Sequence, residues 1–154
     1  MFGQVDRNYK RKEIMENEFI PYEQALALKE FGFDEPCLKV GNPNGHTMWK
    51  WIEVDGEPPT VNINDIIQVH YDENWTQIPT FSQAFRWFRD THNMLANVYS
   101  NASGFLFEYH DTIGGTHRYD SEFSGPNDGG CWDTYEEAEL ESIKKLIQIV
   151  KEKK

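Results

Sequence analysis

Histidines, cysteines and paired carboxylates are the side chains here that could do chemistry. The chain carries five histidines and two cysteines in 154 residues. His110 and His117 flank a turn and invite a metal hypothesis, since imidazole nitrogens are common zinc ligands. Register decides whether they meet. The pairing that best clusters aromatic rings sets Phe105 opposite Phe123, Phe107 opposite Ser121 and Tyr109 opposite Tyr119. In that register the two imidazoles point to opposite faces, so no metal and no cofactor is expected. Asp120, Glu122, Ser124 and Asp128 alternate like calcium ligands, but Cys131 stands where the closing acid is needed. Cys131, Asp133 and His117 contain the residue types of a thiol nucleophile without a spacing that specifies one. Both cysteines read as small buried hydrophobes.

The stretch FSQAFRWFR, residues 81–89, raises a different possibility, because aromatic rings interleaved with arginines can stack on nucleic-acid bases. At about 100° per residue, however, Phe81, Ala84, Phe85, Phe88, His92 and Leu95 fall in one stripe. Arg86 and Arg89 fall on one flank and Trp87 on the other, so the rings and cations interleave only along the sequence. The stripe is the apolar face of a core helix.

Composition narrows the function classes. The net charge is −11, which opposes general nucleic-acid binding and docking on anionic membranes. The acids are scattered in pairs such as Asp34-Glu35 and Glu136-Glu137, the pattern of a solvated surface, although an acidic DNA mimic has the same overall sign. Apolar residues make up 38% and aromatics 14%, so the core is expected to rest on a few large rings. The N-terminus has no apolar signal core and no run approaches a membrane span, which points to the cytoplasm with reduced thiols.

Local signals outline the elements. Residues 1–18 read as a polar arm, and residues 19–154 as one domain. PYEQALALKEFGF has proline at a helix start and Gly32 as its stop, with Phe33 folding back on Leu28. CLKVGNPNGHTMWKWIEV spells a hairpin, and VNINDIIQVHY a further strand. A helix from Thr80 to about Leu95 follows, opened by the capping pattern Thr80-Phe81-Ser82-Gln83. SGFLFEYH and HRYDSEF form a second hairpin. After the glycine-rich SGPNDGG, the capping box Thr134-Tyr135-Glu136-Glu137 opens a last helix to about Val150. The three helix starts echo one another around Ala25, Ala84 and Ala138, through an internal repeat or through the shared demands of helix starts. The fold class expected is α+β, an antiparallel sheet built from hairpins packed against two or three helices.

Three segments together, EFIPYEQALALKEFGFDEPC, PTFSQAFRWFRD and TYEEAELESIKKLIQIVK, resemble a family of small uncharacterised proteins of crAss-like phages, prophages and gut Bacteroidales. The resemblance covers both ends and the middle helix, leaving out the N-terminal arm and the divergent hairpins. It implies a setting and no functional residues: an accessory protein in the cytoplasm of an infected bacterium, serving host takeover or defence evasion.

Five tryptophans are more than a core of this size needs, so some are expected at a binding surface. The expectation is a non-catalytic binding module for a host protein or a small ligand such as a nucleotide. Trp49, Trp51, Trp75 and Trp132 would supply rings, and Arg86 and Arg89 would meet an anionic group. The alternatives are a small hydrolase acting on a nucleotide or peptide, which needs polar side chains converging in a cleft, and a virion or scaffold component.

Overall fold

The computed structural model describes residues 16–49, 74–113 and 116–153. Its elements are three helices and two antiparallel three-stranded sheets among the described residues, an α+β fold. Two compact units emerge, the first formed by Phe19–Thr80 and the second by Met1–Glu18 with Phe81–Lys154. Most of the arm expected over residues 1–18, and the strand expected over VNINDIIQVHY, lie outside the described residues.

The first unit holds helix α1 (Tyr22–Glu30) and strands β1 (Lys39–Gly41), β2 (Thr47–Trp49) and β3 (Thr76–Ile78), in the order β2-β1-β3. Helix α1 stops as its sequence predicts. Gly32 adopts φ +100°, the Phe33 amide donates to the Leu28 carbonyl and the Gly32 amide to that of Lys29. This satisfies carbonyls that the helix end leaves open, and it turns Phe33 inward, where both Phe33 and Leu28 are buried. The hairpin link at residues 42–46 is held by the Asn42 side chain, whose Oδ1 accepts from the Asn44 and His46 amides. Helix α1 packs on β3, and Ile20, Ala25, Val40 and Ile78 are buried in this unit.

The second unit holds α2 (Phe81–His92), β4 (Leu95–Asn101), β5 (Gly104–Ile113), β6 (Thr116–Glu122), a short 3-10 turn (Asp128–Gly130) and α3 (Tyr135–Glu152). Its sheet order is β4-β5-β6. Helix α2 buries Phe81, Ala84, Trp87 and Phe88, so Phe81-Ala84-Phe88 is a core stripe and Trp87 joins it against His92, 4.8 Å between ring centres. The helix ends earlier than its sequence predicts. Asn93 takes a left-handed φ of 53°, and the Met94 amide reaches back to the Phe88 carbonyl; asparagine tolerates that conformation better than most residues. Leu95 therefore begins a strand and is 48% exposed, not part of the helical stripe. That strand, LANVYSN, carries no expectation from the local pattern.

Hairpin β5–β6 forms, but one residue out of the register expected. Phe107 pairs with Glu122, Tyr109 with Asp120 and His110 with Tyr119. The ladder closes with Ile113 opposite Thr116, so Gly114 and Gly115 alone link the strands, and a two-residue link fixes register. Rings from β6 therefore do not line up with Phe105, Phe107 and Tyr109. The positions of His110 and His117 now fall on one face, since His117 pairs with Thr112. Among the described residues no three ligating side chains gather for a metal.

Helix α3 covers β4 and β5. Its capping box forms as expected: Thr134 Oγ1 accepts from the Glu137 amide at 3.2 Å, and Glu137 Oε2 accepts from the Thr134 amide at 3.2 Å. Ala138, Ile143, Leu146 and Ile147 point inward. No described helix is long and apolar enough to cross a membrane. Thr134→Ala should cost about 1 kcal/mol, read as a lower midpoint in urea unfolding.

Candidate functional site

The residues expected to bind are divided between the two units. Trp49, at the end of β2, and Trp75, partly buried just before β3, belong to the first unit. Trp51 lies outside the described residues. Arg86 and Arg89 lie one turn apart on the exposed side of α2 in the second unit. The Arg89 Nε donates to Asp90 Oδ1 at 3.0 Å. Trp132, among the rings expected to bind, is buried. Its backbone pairs with Phe105, and directly opposed residues share a face of the sheet. Its ring thus enters the core beside Phe107, 5.3 Å between centres and tilted by 31°. Phe107, Trp132 and Ala138 form a buried cluster, with Val98, Phe105 and Tyr109 around it. The partner of Phe107 is a ring from a loop and not from β6.

That loop is held by a set of backbone hydrogen bonds. After β6 the chain leaves the sheet at Phe123 and returns at Trp132. The Phe105 amide donates to the Trp132 carbonyl and the Trp132 amide to that of Phe105, both at 2.9 Å. Between these points Gly125 N–H bonds Gly130 O at 2.9 Å, Gly130 N–H bonds Asn127 O at 2.9 Å and Asn127 N–H bonds Cys131 O at 3.1 Å. Gly130 has φ +72°, and a Cβ there would collide with the Phe123 carbonyl. Only glycine meets both demands. The Gly130 backbone thus packs closely against that of Phe123, whose side chain stands 62% exposed.

Beside this loop opens a shallow polar cleft of about 510 Å³ lined by Ser103, Pro126, Asn127, Asp128 and Asp133. Asn127 Nδ2 donates to Asp133 Oδ1 at 2.8 Å. Cys131 is fully buried, its thiol donating towards Asn101 Oδ1 at 3.7 Å. Cys37 is buried as well, and both thiols are free.

A polar cluster joins α3 to the sheet. Lys145 Nζ sits 3.1 Å from Glu122 Oε2 and 5.4 Å from the centre of the Tyr109 ring. Tyr109 donates to Asp120 Oδ2 at 3.3 Å. Burial raises the phenol above its usual range, with Asp120 and Glu122 adding to that and Lys145 opposing it. Burial pulls the ammonium down, but its bond to Glu122 and the surrounding negative charge outweigh this and hold it above its usual range. Asp120 and Glu122, two of the oxygen ligands in the calcium pattern, are engaged by Tyr109 and Lys145. The arrangement ties a helix to a sheet.

Glu139, on α3, is partly buried. Burial, then the charges of Glu18 and Glu136, push its carboxyl up to about 7. No family model, curated protein or solved structure matches the chain.

The raised Glu139 pKa has a definite sign in folding. The folded state holds this proton more tightly than the unfolded state, whose carboxyl titrates near 4.5. Stability is therefore full below about 4.5 and falls as pH rises towards about 7. Glu139→Gln should be more stable than wild type at pH 8, by on the order of 1 kcal/mol after solvent screening, and equal to it at pH 4. Urea midpoints at the two pH values test this.

Proposed function

We propose that this chain is a non-catalytic binding module for a host protein, with Phe123 as its anchor. The observation that carries the reading is that Phe123, whose backbone packs closely against Gly130, leaves its side chain 62% exposed. A large ring in water gains nothing for the isolated chain. Presented from the base of a hydrogen-bonded loop, it meets a partner pocket with less entropy to lose than a ring on a free chain. Aromatic anchors of this kind dominate binding energies at protein interfaces. The neighbouring cleft offers Asp128 and Asp133, and the whole chain is strongly acidic. The fitting partner surface is an apolar pocket with a basic rim, which a net charge of −11 would also steer into contact.

The burial of Trp132 and the pairing of Arg89 favour a protein partner over a nucleotide. A nucleotide site would need an open ring and a cation on one surface, whereas the Trp132 ring is buried and Arg89 is engaged by Asp90. The resemblance to proteins of crAss-like phages and gut Bacteroidales supports a setting in the host cytoplasm, in takeover or defence evasion.

Native mass spectrometry of tagged protein captured from Bacteroidales lysate should record a stoichiometric complex with one defined protein. Phe123→Ala should weaken that complex at least about tenfold. It should leave the urea midpoint within about 0.5 kcal/mol of wild type, because the side chain is exposed. Recovery of bare protein, or a complex indifferent to Phe123→Ala, would overturn the reading.

A further inference from the structure

The two edges of the second unit's sheet differ in a way that the fold alone does not require. The β6 edge carries His117, Arg118, Asp120 and Glu122, and charges on an edge strand discourage pairing with other chains. The β4 edge reads LANVYSN, with no carboxylate, ammonium, guanidinium or imidazole and no proline. It is also accessible, with Leu95, Asn97, Ser100 and Asn101 all exposed.

The phase of its backbone follows from β5. Phe105 exchanges both of its hydrogen bonds with Trp132, so these groups point away from β4. Ser100, opposite Phe105, is then in a non-hydrogen-bonded pair. The alternation makes Val98–Phe107 and Ala96–Tyr109 pairs of the same kind. The N–H and C=O groups of Ala96, Val98 and Ser100 therefore point outward along the free edge. They have no hydrogen-bond partner among the described residues.

We propose that β4 pairs antiparallel with β4 of a second copy about a two-fold axis at Val98, joining two three-stranded sheets into one. Val98 then faces Val98, and Ala96 faces Ser100 of the second copy. These are the residues whose backbone groups point outward, so each pair can exchange both of its bonds. Charge selects this edge for self-association. Two chains of net charge −11 repel, but across β4 no like charges stand opposite one another, a juxtaposition that destabilises strand pairs. The contacts brought together are Val on Val, Ala on Ser and Asn97 on Tyr99. The valines supply a β-branched pair at the centre, where strand pairing favours such residues.

The test is sedimentation of the full chain from about 1 to 100 μM, combined with amide exchange at both ends of that range. The expected result is a concentration-dependent dimer in which the Val98, Ala96 and Ser100 amides exchange at least tenfold more slowly than in the monomer. Val98→Pro removes a central outward N–H, a change an edge strand tolerates. Ser100→Glu places a carboxylate on the exposed edge, and it decides the matter where the proline variant does not fold. Each variant should weaken dimerisation at least tenfold. A wild-type monomer at about 100 μM would overturn the proposal. So would a dimer without protection at these amides, or variants that dimerise like wild type. A monomer already protected at these amides would mean that the chain's own residues or a bound host peptide cover the edge, which also overturns it.

Discussion

The exchange of both backbone hydrogen bonds between Phe105 and Trp132 organises the second unit. Strand β5 is paired along one side by β4, but β6 covers only its far part, from Phe107 to Ile113. Buried backbone groups need partners, and the chain supplies one by returning to the sheet at Trp132 after its excursion. This single contact sets several others at once. It delivers the Trp132 ring to Phe107, where a ring from β6 would otherwise be needed. It leaves Asp133 and Thr134 placed to begin α3, whose Ala138 packs into the same cluster. It also fixes which backbone groups of β4 turn outward.

The excursion turns a structural necessity into a presentation device. A loop that must leave and rejoin one strand within a few residues is short of room. Glycines at 125 and 130 provide it, because any Cβ there would meet backbone. Such constraint restricts movement at the loop's base and leaves its apex and flanks to solvent. Phe123 stands at that base with its side chain outside. The cost of ordering the loop beside it is met during folding and need not be met again on contact with a partner.

Electrostatics works differently inside the unit and at its surface. Lys145 is held between Glu122, Asp120 and the Tyr109 ring, so a cation in an acidic chain is placed where it joins helix to sheet. Glu139 has the opposite fate. It sits among other carboxylates in a partly buried position and holds its proton to about pH 7. The two edges of the sheet repeat the contrast, one charged along its length and one bare.

Much of the fold was legible in the sequence because it rests on contacts within a few residues. Gly32 ends α1 and Thr134 starts α3 through bonds spanning one helical turn, and both are visible as residue types at fixed spacing. The α+β class, the hairpin turns and the core face of α2 follow from equally local patterns. Strand β4 was not legible, since LANVYSN continues a helical stripe on paper and is released from it only by the left-handed turn at Asn93. The candidate site was barely legible. Trp132 and Phe123 are both large rings beside a glycine-rich loop, and nothing in their neighbours tells which is buried. That choice depends on the register of β5 against β6 and on the return to Phe105, contacts between residues up to 27 positions apart. A one-residue shift in such a ladder moves every side chain to the other face. The sequence by itself determined where α1 ends, where α3 begins and which face of α2 is apolar. The tertiary structure decided which faces meet, because strand pairing is settled by partners that local spacing does not encode.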